Sequence, residues 1–218
     1  MIDWSLIETT FLDMDGTLLD LHFDNHFWQE HVPLRYAEQN GLPLSEAKAH
    51  LYQRFRKAEG TLNWYSVDYW SDELALDIPK LKEEVAQRIM MRPHAEEFLR
   101  AMREAGKRLV LVTNAHGKTV TLKFRRTNID QYMDAVFCAH DLGLAKEHPP
   151  FWRELHALEP FDPARTLLID DSLPVLRCAR AHGIRHLLAI RKPDLQGPEK
   201  DCGEFPAVDS FDQLLPIA

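Results

Sequence analysis

The chain has 218 residues, 45% of them apolar and 28% charged, proportions that support a buried core and exclude an intrinsically disordered polymer. Its formal charge of −8 repels polyanions, so neither nucleic acid nor an anionic membrane surface is an expected partner, although one cleft can carry a local potential of the opposite sign. Cys138, Cys178 and Cys202 are too few and too widely spaced for a disulfide framework or a zinc cluster, which suits a reducing cytoplasm.

Residues Met1 to Glu8 place acidic side chains where an export signal needs a basic segment and an apolar run, and no stretch approaches the roughly 20 apolar residues of a membrane span. Thr9 to Asp13 has the β-branched and aromatic character of a buried strand, and it runs into Asp13-Met14-Asp15-Gly16-Thr17, where Gly16 permits a turn. From about Asp24 to Ile89 the reading is helical throughout. Phe27, Val32, Leu34 and Ala37 mark one apolar face, and Leu44, Ala47, Leu51 and Phe55 mark the next. Gly41-Leu42-Pro43 separates these segments, Gly60 ends the second, and Ser66 is placed to cap a third.

After Pro93 the rhythm changes. A helix over Glu96–Ala105 closes at Gly106, and the almost wholly apolar run Arg108–Thr113 predicts a strand buried on both faces. Further strands are expected over Ala135–Cys138, Thr166–Asp170 and His186–Ile190, with helices around Val120–Arg126, Phe151–Leu158 and Val175–Ala181. Such alternation implies right-handed crossovers and a doubly wound, parallel α/β sheet. Lys192–Asp209, rich in proline and glycine, predicts an irregular surface segment. The expected organisation is an α/β core over residues 1–20 and 91–218, interrupted after its first strand by a helical domain over 21–90.

In such a sheet, polar residues ending separate strands converge on one crevice. Here Asp13 and Asp15 follow the first strand, Thr113 and Asn114 end the second, Lys146 opens the segment after the third, and Asp170 and Asp171 end the fourth. Carboxylates so crowded repel one another unless a hard cation lies between them, and Mg2+ accepts a few such oxygens while keeping some of its waters. Each motif alone has a plainer explanation: Asp-x-Asp-Gly-Thr also suits a calcium-like turn, Thr-Asn ends strands routinely, and a lone lysine is by default solvated.

The four motifs, in this order, resemble those of the haloacid dehalogenase-like superfamily: Asp13-Met14-Asp15-Gly16-Thr17, Val112-Thr113-Asn114, Lys146, and Ile169-Asp170-Asp171-Ser172. The resemblance implies that Asp13 is a nucleophile. It further implies that the second Asp13 oxygen and the Asp15 backbone carbonyl bind Mg2+, that Asp171 matches the metal-binding acid, and that Asp170 contacts metal or its waters. Glu147 departs from the pattern, standing where relatives carry proline after the motif lysine. The roles are chemically coherent. Lys146 and the metal offset the phosphoryl charge, and Thr113, Asn114 and backbone N–H groups bind the phosphoryl oxygens. Asp15, two residues on, can protonate the departing alkoxide and then deprotonate the hydrolytic water.

By the same resemblance the helical insertion is a cap that closes the cleft and selects the leaving group. The stretch Leu19–Trp28 looks like that of bacterial purine-nucleotide phosphatases, the GMP/IMP nucleotidases, which makes a nucleoside monophosphate the expected substrate. A sugar phosphatase or a phosphomutase shares every core residue named. A dehalogenase needs neither Asp15 nor the Asp170-Asp171 pair, and a silent binding module needs none of the intact set. Outside these motifs, His22 and His26 lack a third metal ligand nearby, Trp64, Tyr65, Tyr69 and Trp70 are expected to pack in a helical core, and Arg54, Arg56 and Lys57 to form a solvated face.

Overall fold

The structure, a computed structural model, describes residues 2–217. β1 (Thr9–Leu12) is buried along its whole length, which is why its sequence lacks polar alternation. The chain then enters a block of helices: α1 (His22–His26), one π-helical turn over Phe27–His31, α2 (Val32–Asn40), α3 (Leu44–Ala58), α4 (Leu62–Tyr65), α5 (Val67–Leu74) and α6 (Ile78–Glu84). It returns through α7 (Ala95–Glu104), and strands and helices then alternate: β2 (Arg108–Thr113), α8 (Gly117–Thr127), β3 (Ala135–Cys138), α9 (Ala139–Leu142), α10 (Pro149–Leu158), β4 (Thr166–Asp170), α11 (Leu173–His182) and β5 (His186–Ile190), with β6 (Ala207–Val208) last.

The six strands form one parallel sheet in the order β3-β2-β1-β4-β5-β6. The strand order reverses between β1 and β4, so their carboxyl ends open onto the crevice where doubly wound sheets bind ligands. Side-chain alternation divides the core between the two faces. Phe11, Val110, Val112 and Leu168 pack with Trp152 and Leu176, whereas Leu12, Leu109, Leu111 and Ile169 join Phe98 and Met102. Each such side chain contributes roughly 1.5–3 kcal/mol by leaving water.

Three expectations are corrected. Leu44, in the first turn of α3, is 41% exposed, so the buried face of that helix begins at Ala47. Leu34 is 43% exposed rather than part of an apolar face with Phe27. The π-helical turn takes up one extra residue, so the buried face passes from Phe27 to Val32 and Tyr36 instead of following α-helical spacing to Leu34. Lys192–Asp209 is not merely a surface coil: it carries β6, which extends the sheet, and it braces the entrance to the helical block. Arg92, buried at that entrance, donates to the carbonyl oxygens of Lys192, Pro193 and Asp209 at 2.6, 3.0 and 2.8 Å. Asp20 Oδ1 accepts from the backbone N–H groups of His22 and Leu195.

The two connections to the helical block run side by side, with an antiparallel bridge between Leu19 and Met91. Backbone hydrogen bonds from Asp20 N to Met90 O (3.0 Å) and from Arg92 N to Leu18 O (2.9 Å) complete this short double-stranded neck. Within the block Ser66 caps α5 as expected, its hydroxyl accepting from Tyr69 N at 3.2 Å.

Candidate active site

Parallel registry brings the motifs together. Leu12 pairs with Ile169, so Asp13 and Asp170 leave adjacent strands at the same level. Lys146 reaches between them from the loop before α10: its Nζ donates to Asp13 Oδ1 at 2.6 Å, to Asp170 Oδ2 at 2.7 Å and to the Val112 carbonyl at 3.0 Å. The loop holds this lysine from both sides, through Lys146 N to Asn114 Oδ1 (2.9 Å) and Trp152 Nε1 to Lys146 O (2.8 Å). The Asn114 amide is thereby committed to the loop, since its Nδ2 also donates to Glu147 Oε2 at 2.8 Å. Thr113, buried at the end of β2, accepts from Ala115 N at 3.0 Å and lines the same cleft.

Asp13, Asp170 and Asp171 can each offer one oxygen within 4.8 Å of the others, the one such ligand group of three or more acidic, histidine or cysteine side chains among the described residues. Asp13 Oδ2 is buried and has no hydrogen-bond partner. Both Asp170 oxygens are engaged, Oδ2 by Lys146 and Oδ1 by Ser172 N at 2.9 Å, while Asp171 Oδ2 accepts from Lys200 Nζ at 2.8 Å. Gly16 is required here. Its φ of +88° disfavours any side chain, and a Cβ would lie 2.9 Å from Asp171 Cγ and Oδ2.

Electrostatics follow from this crowding. Burial first, then the charges of Asp13 and Asp171, push the Asp170 carboxyl up to about 8 despite Lys146. Burial opposes the Lys146 cation, yet the Asp13 and Asp170 charges outweigh it and raise its pKa. Asp15 is pushed up to about 7, by burial foremost and then by Asp24 and Asp13, against the pull of Lys123.

Above the carboxylates the helical block and the core enclose a cleft of ≈ 820 Å³, within the about 300–1,000 Å³ typical of small-molecule sites. Trp28, Phe55, Trp64 and Arg56 also line it. The four aromatic residues singled out by sequence divide: Trp70 is buried core and Tyr69 and Trp64 pack partly buried against it, as expected, but Trp64 also lines the cleft and Tyr65 donates its hydroxyl to Glu147 Oε1 at 2.6 Å. Glu147, where the family pattern has proline, thus links α4 to Asn114. Arg54 donates to the Glu73 carbonyl at 2.9 Å, and His22 pairs with Asp194 at 3.4 Å, so neither contributes to the acidic group.

The model of the haloacid dehalogenase-like hydrolase family matches residues 7–183, well over half of the chain. The chain belongs to that family. It is 38% identical over 215 residues to the GMP/IMP nucleotidase YrfG of Escherichia coli (strain K12), covering 99% of this chain and 97% of that protein. In fold it is similar to the phosphatase of the same superfamily from Thermococcus onnurineus (TM-score 0.79, 18% identity, 95% and 96% of the two chains). A dehalogenase structure superposes with a TM-score of 0.67 at 20% identity, over 100% and 99% of the chains. No helix among the described residues is long and apolar enough to cross a membrane.

This haloacid dehalogenase-like site also contains residues that its sequence motifs do not announce. Lys123, 1% exposed, donates to Asp15 Oδ1 at 2.6 Å and to Asp24 Oδ2 at 2.5 Å, and Lys82, 3% exposed, donates to Asp24 Oδ1 at 3.0 Å. The available signal was position: Lys123 shares a helical face with Thr119 and Val120, and Lys82 one with Ile78, where a solvated lysine does not belong. Lys200 lies in coil without periodicity, and nothing local in the sequence marks it.

Proposed function

We propose that this hydrolase releases inorganic phosphate from purine nucleoside 5′-monophosphates, in a Mg2+-dependent reaction that passes through a phosphoaspartate on Asp13. The observation that carries the chemistry is the divided Asp13 carboxylate, one oxygen held by Lys146 and the other buried without a partner. An unsatisfied buried polar atom costs about 1–3 kcal/mol, more when charged, so its retention at the junction of strand ends marks a site built for a ligand.

The donor set suits magnesium. Asp13 and Asp171, with the Asp15 carbonyl, would hold the ion, and Asp170 would support it or its waters, an all-oxygen environment suited to a hard dication. When bound, Mg2+ supplies positive charge that offsets the phosphoryl oxygens facing the nucleophile.

Asp13 attacks phosphorus, its new O–P bond forming as the bond to the 5′ oxygen breaks. Asp15 gives its proton to that departing oxygen, then takes one from the water that attacks phosphorus and frees Asp13. Lys146, whose three N–H donors serve Asp13, Asp170 and the Val112 carbonyl, offsets the phosphoryl charge, Thr113 binds a phosphoryl oxygen, and Asn114 holds the Lys146 loop in place. Residues 21–90 act as the cap, excluding bulk water over a core formed by 1–20 and 91–218.

Two findings support the purine assignment: the 38% identity to a GMP/IMP nucleotidase along nearly the whole chain, and the presence of Trp28 and Trp64 among the cleft-lining residues, indole rings of a kind that stack on a base. A phosphate-release screen over nucleoside monophosphates, sugar phosphates and cofactor phosphates tests it. GMP and IMP are expected to give the highest kcat/KM, with activity lost in chelator and in Asp13→Asn. Equal rates on all three classes would remove the purine assignment, and full activity in Asp13→Asn would remove the nucleophile.

A further inference from the structure

A line of four charges, two buried lysines alternating with two partly buried aspartates, leads from the catalytic carboxylate into the helical block. Asp15 follows β1, Lys123 lies on α8 of the core, Asp24 on α1 and Lys82 on α6, and α6 packs against α8. Lys123 Nζ bridges Asp15 Oδ1 (2.6 Å) and Asp24 Oδ2 (2.5 Å), and Lys82 Nζ binds the other Asp24 oxygen at 3.0 Å. Aromatic faces complete the surroundings: Lys82 Nζ lies 4.4 Å from the Phe27 ring centroid, and Lys123 Nζ lies 5.2 Å from that of Phe23.

Desolvating an ammonium costs several kcal/mol, which only well-placed partners offset. Solvation alone would therefore place these lysines at the surface. Instead each is buried where it can meet a carboxylate, and the series ends on the residue that handles the leaving group's proton. Geometry explains the benefit. A carboxylate alone at the end of its side chain can rotate about χ2. With Oδ1 held by a cation that Asp24 itself fixes in place, Asp15 keeps its other oxygen toward the cleft that it lines.

We propose that Lys123 is a positioning residue for Asp15, and that Asp24 and Lys82 make its hold depend on how the helical block is seated. Asp24 and Lys82 both lie beyond the Leu19–Met91 neck, so displacement of the block would leave Lys123 to pivot on a flexible stem. Proton delivery is thereby reserved for the seated arrangement. The inference rests on the reading of Asp15 as the acid, and deepens it.

The test uses two esters that differ in their need for a proton. Phenoxide is a poor leaving group, whereas p-nitrophenoxide departs with little help, and aryl phosphates keep the result independent of nucleotide preference. First-turnover release of each phenol is measured with Mg2+ for wild type, Lys123→Met, Lys123→Arg, Lys82→Met and Asp15→Asn.

Lys123→Met is expected to slow phenol release by about 10- to 100-fold, the lower part of the range for general acid catalysis, and p-nitrophenol release by less than about threefold. Lys123→Arg, which keeps the charge, recovers part of the difference. Lys82→Met does not touch Asp15 and provides the second probe should Lys123→Met fail to fold. It is expected to slow phenol release selectively by about three- to tenfold, a fraction of the general-acid effect. Equal slowing of both esters in these variants would show a merely structural lysine and overturn the inference, as would wild-type rates. Asp15→Asn separates the premise: if it slows phenol selectively while the lysine variants do not, only the inference fails, and if it shows no selectivity, the acid assignment fails and the inference with it.

Discussion

Lys146 Nζ lies 2.6 Å from Asp13 Oδ1, and this contact divides the nucleophile's carboxylate into a held oxygen and a free one. The same ammonium reaches Asp170 at 2.7 Å, so one cation offsets two buried carboxylates.

Removing that cation is expected to harm both activity and folding. Lys146→Met should lower kcat/KM by about 10²- to 10³-fold, the scale of losing one electrostatic contact to the transition state. Metal-free protein should also lose about 3–5 kcal/mol, because two carboxylates are left buried without their partner. Saturating Mg2+ should restore part of the stability and little of the rate. Urea unfolding with and without Mg2+, beside phosphate-release kinetics, checks both.

The Asp15 shift predicts a pH dependence with a definite sign. Burial foremost raises its folded pKa from the ordinary aspartate value of 3.8 to about 7, so between these values the folded metal-free protein binds the extra proton. The contribution of Asp15 to stability is therefore fully present below about 4 and lost as pH rises through about 7. Relative to Asp15→Asn, which cannot ionise, wild type should lose stability across this window and then level off. Denaturant midpoints at several pH values, in chelator, measure the difference. A constant gap between the two proteins would contradict the raised pKa.

Gly16→Ala should act on the metal site without replacing a ligand. The substituted residue must hold a φ of +88° and place its Cβ 2.9 Å from the Asp171 carboxyl, so Asp171 has to move. Displacing a ligand's support commonly costs about 10- to 100-fold in metal affinity, and the Mg2+ concentration for half-maximal activity should rise on that scale. A Mg2+ titration of phosphate release at saturating substrate reads it directly.

Much of this site is legible in sequence because the residues concerned end apolar strands. Asp13, Thr113 and Asp170 are brought together by parallel pairing, which follows from alternating helices and strands. Lys146 is legible by order and spacing alone. Lys123 and Lys82 are not, because burial of a lysine depends on partners far along the chain: Asp15 and Lys123 are 108 residues apart. The Leu34 error has a local cause, the π-turn, which shifts helical periodicity by one residue and leaves no compositional mark. Lys200, in coil, finds Asp171 only because the Lys192–Asp209 segment folds back over the neck.

Tyr65→Phe tests a further link between helical block and core. The hydroxyl donates to Glu147 at 2.6 Å, and a hydrogen bond to a charged group contributes about 1.5–3 kcal/mol, less here because both side chains are only partly buried. A stability loss near 1 kcal/mol is expected, on the lower side of that scale. KM should rise, because α4 is freed from the loop that holds Asn114 and Lys146. Steady-state kinetics and urea unfolding check the pair of effects; unchanged KM would show that this link does not shape the cleft.

The most direct measurement is rapid acid quench of the enzyme with Mg2+ and a purine nucleoside 5′-monophosphate labelled in the phosphoryl group, followed by peptide mapping. The expected result is hydroxylamine-labile phosphate on the peptide containing Asp13, formed before free phosphate accumulates and absent from Asp13→Asn. Phosphate release at the normal rate with no protein-bound label, or label on a peptide lacking Asp13, would contradict nucleophilic attack by this carboxylate.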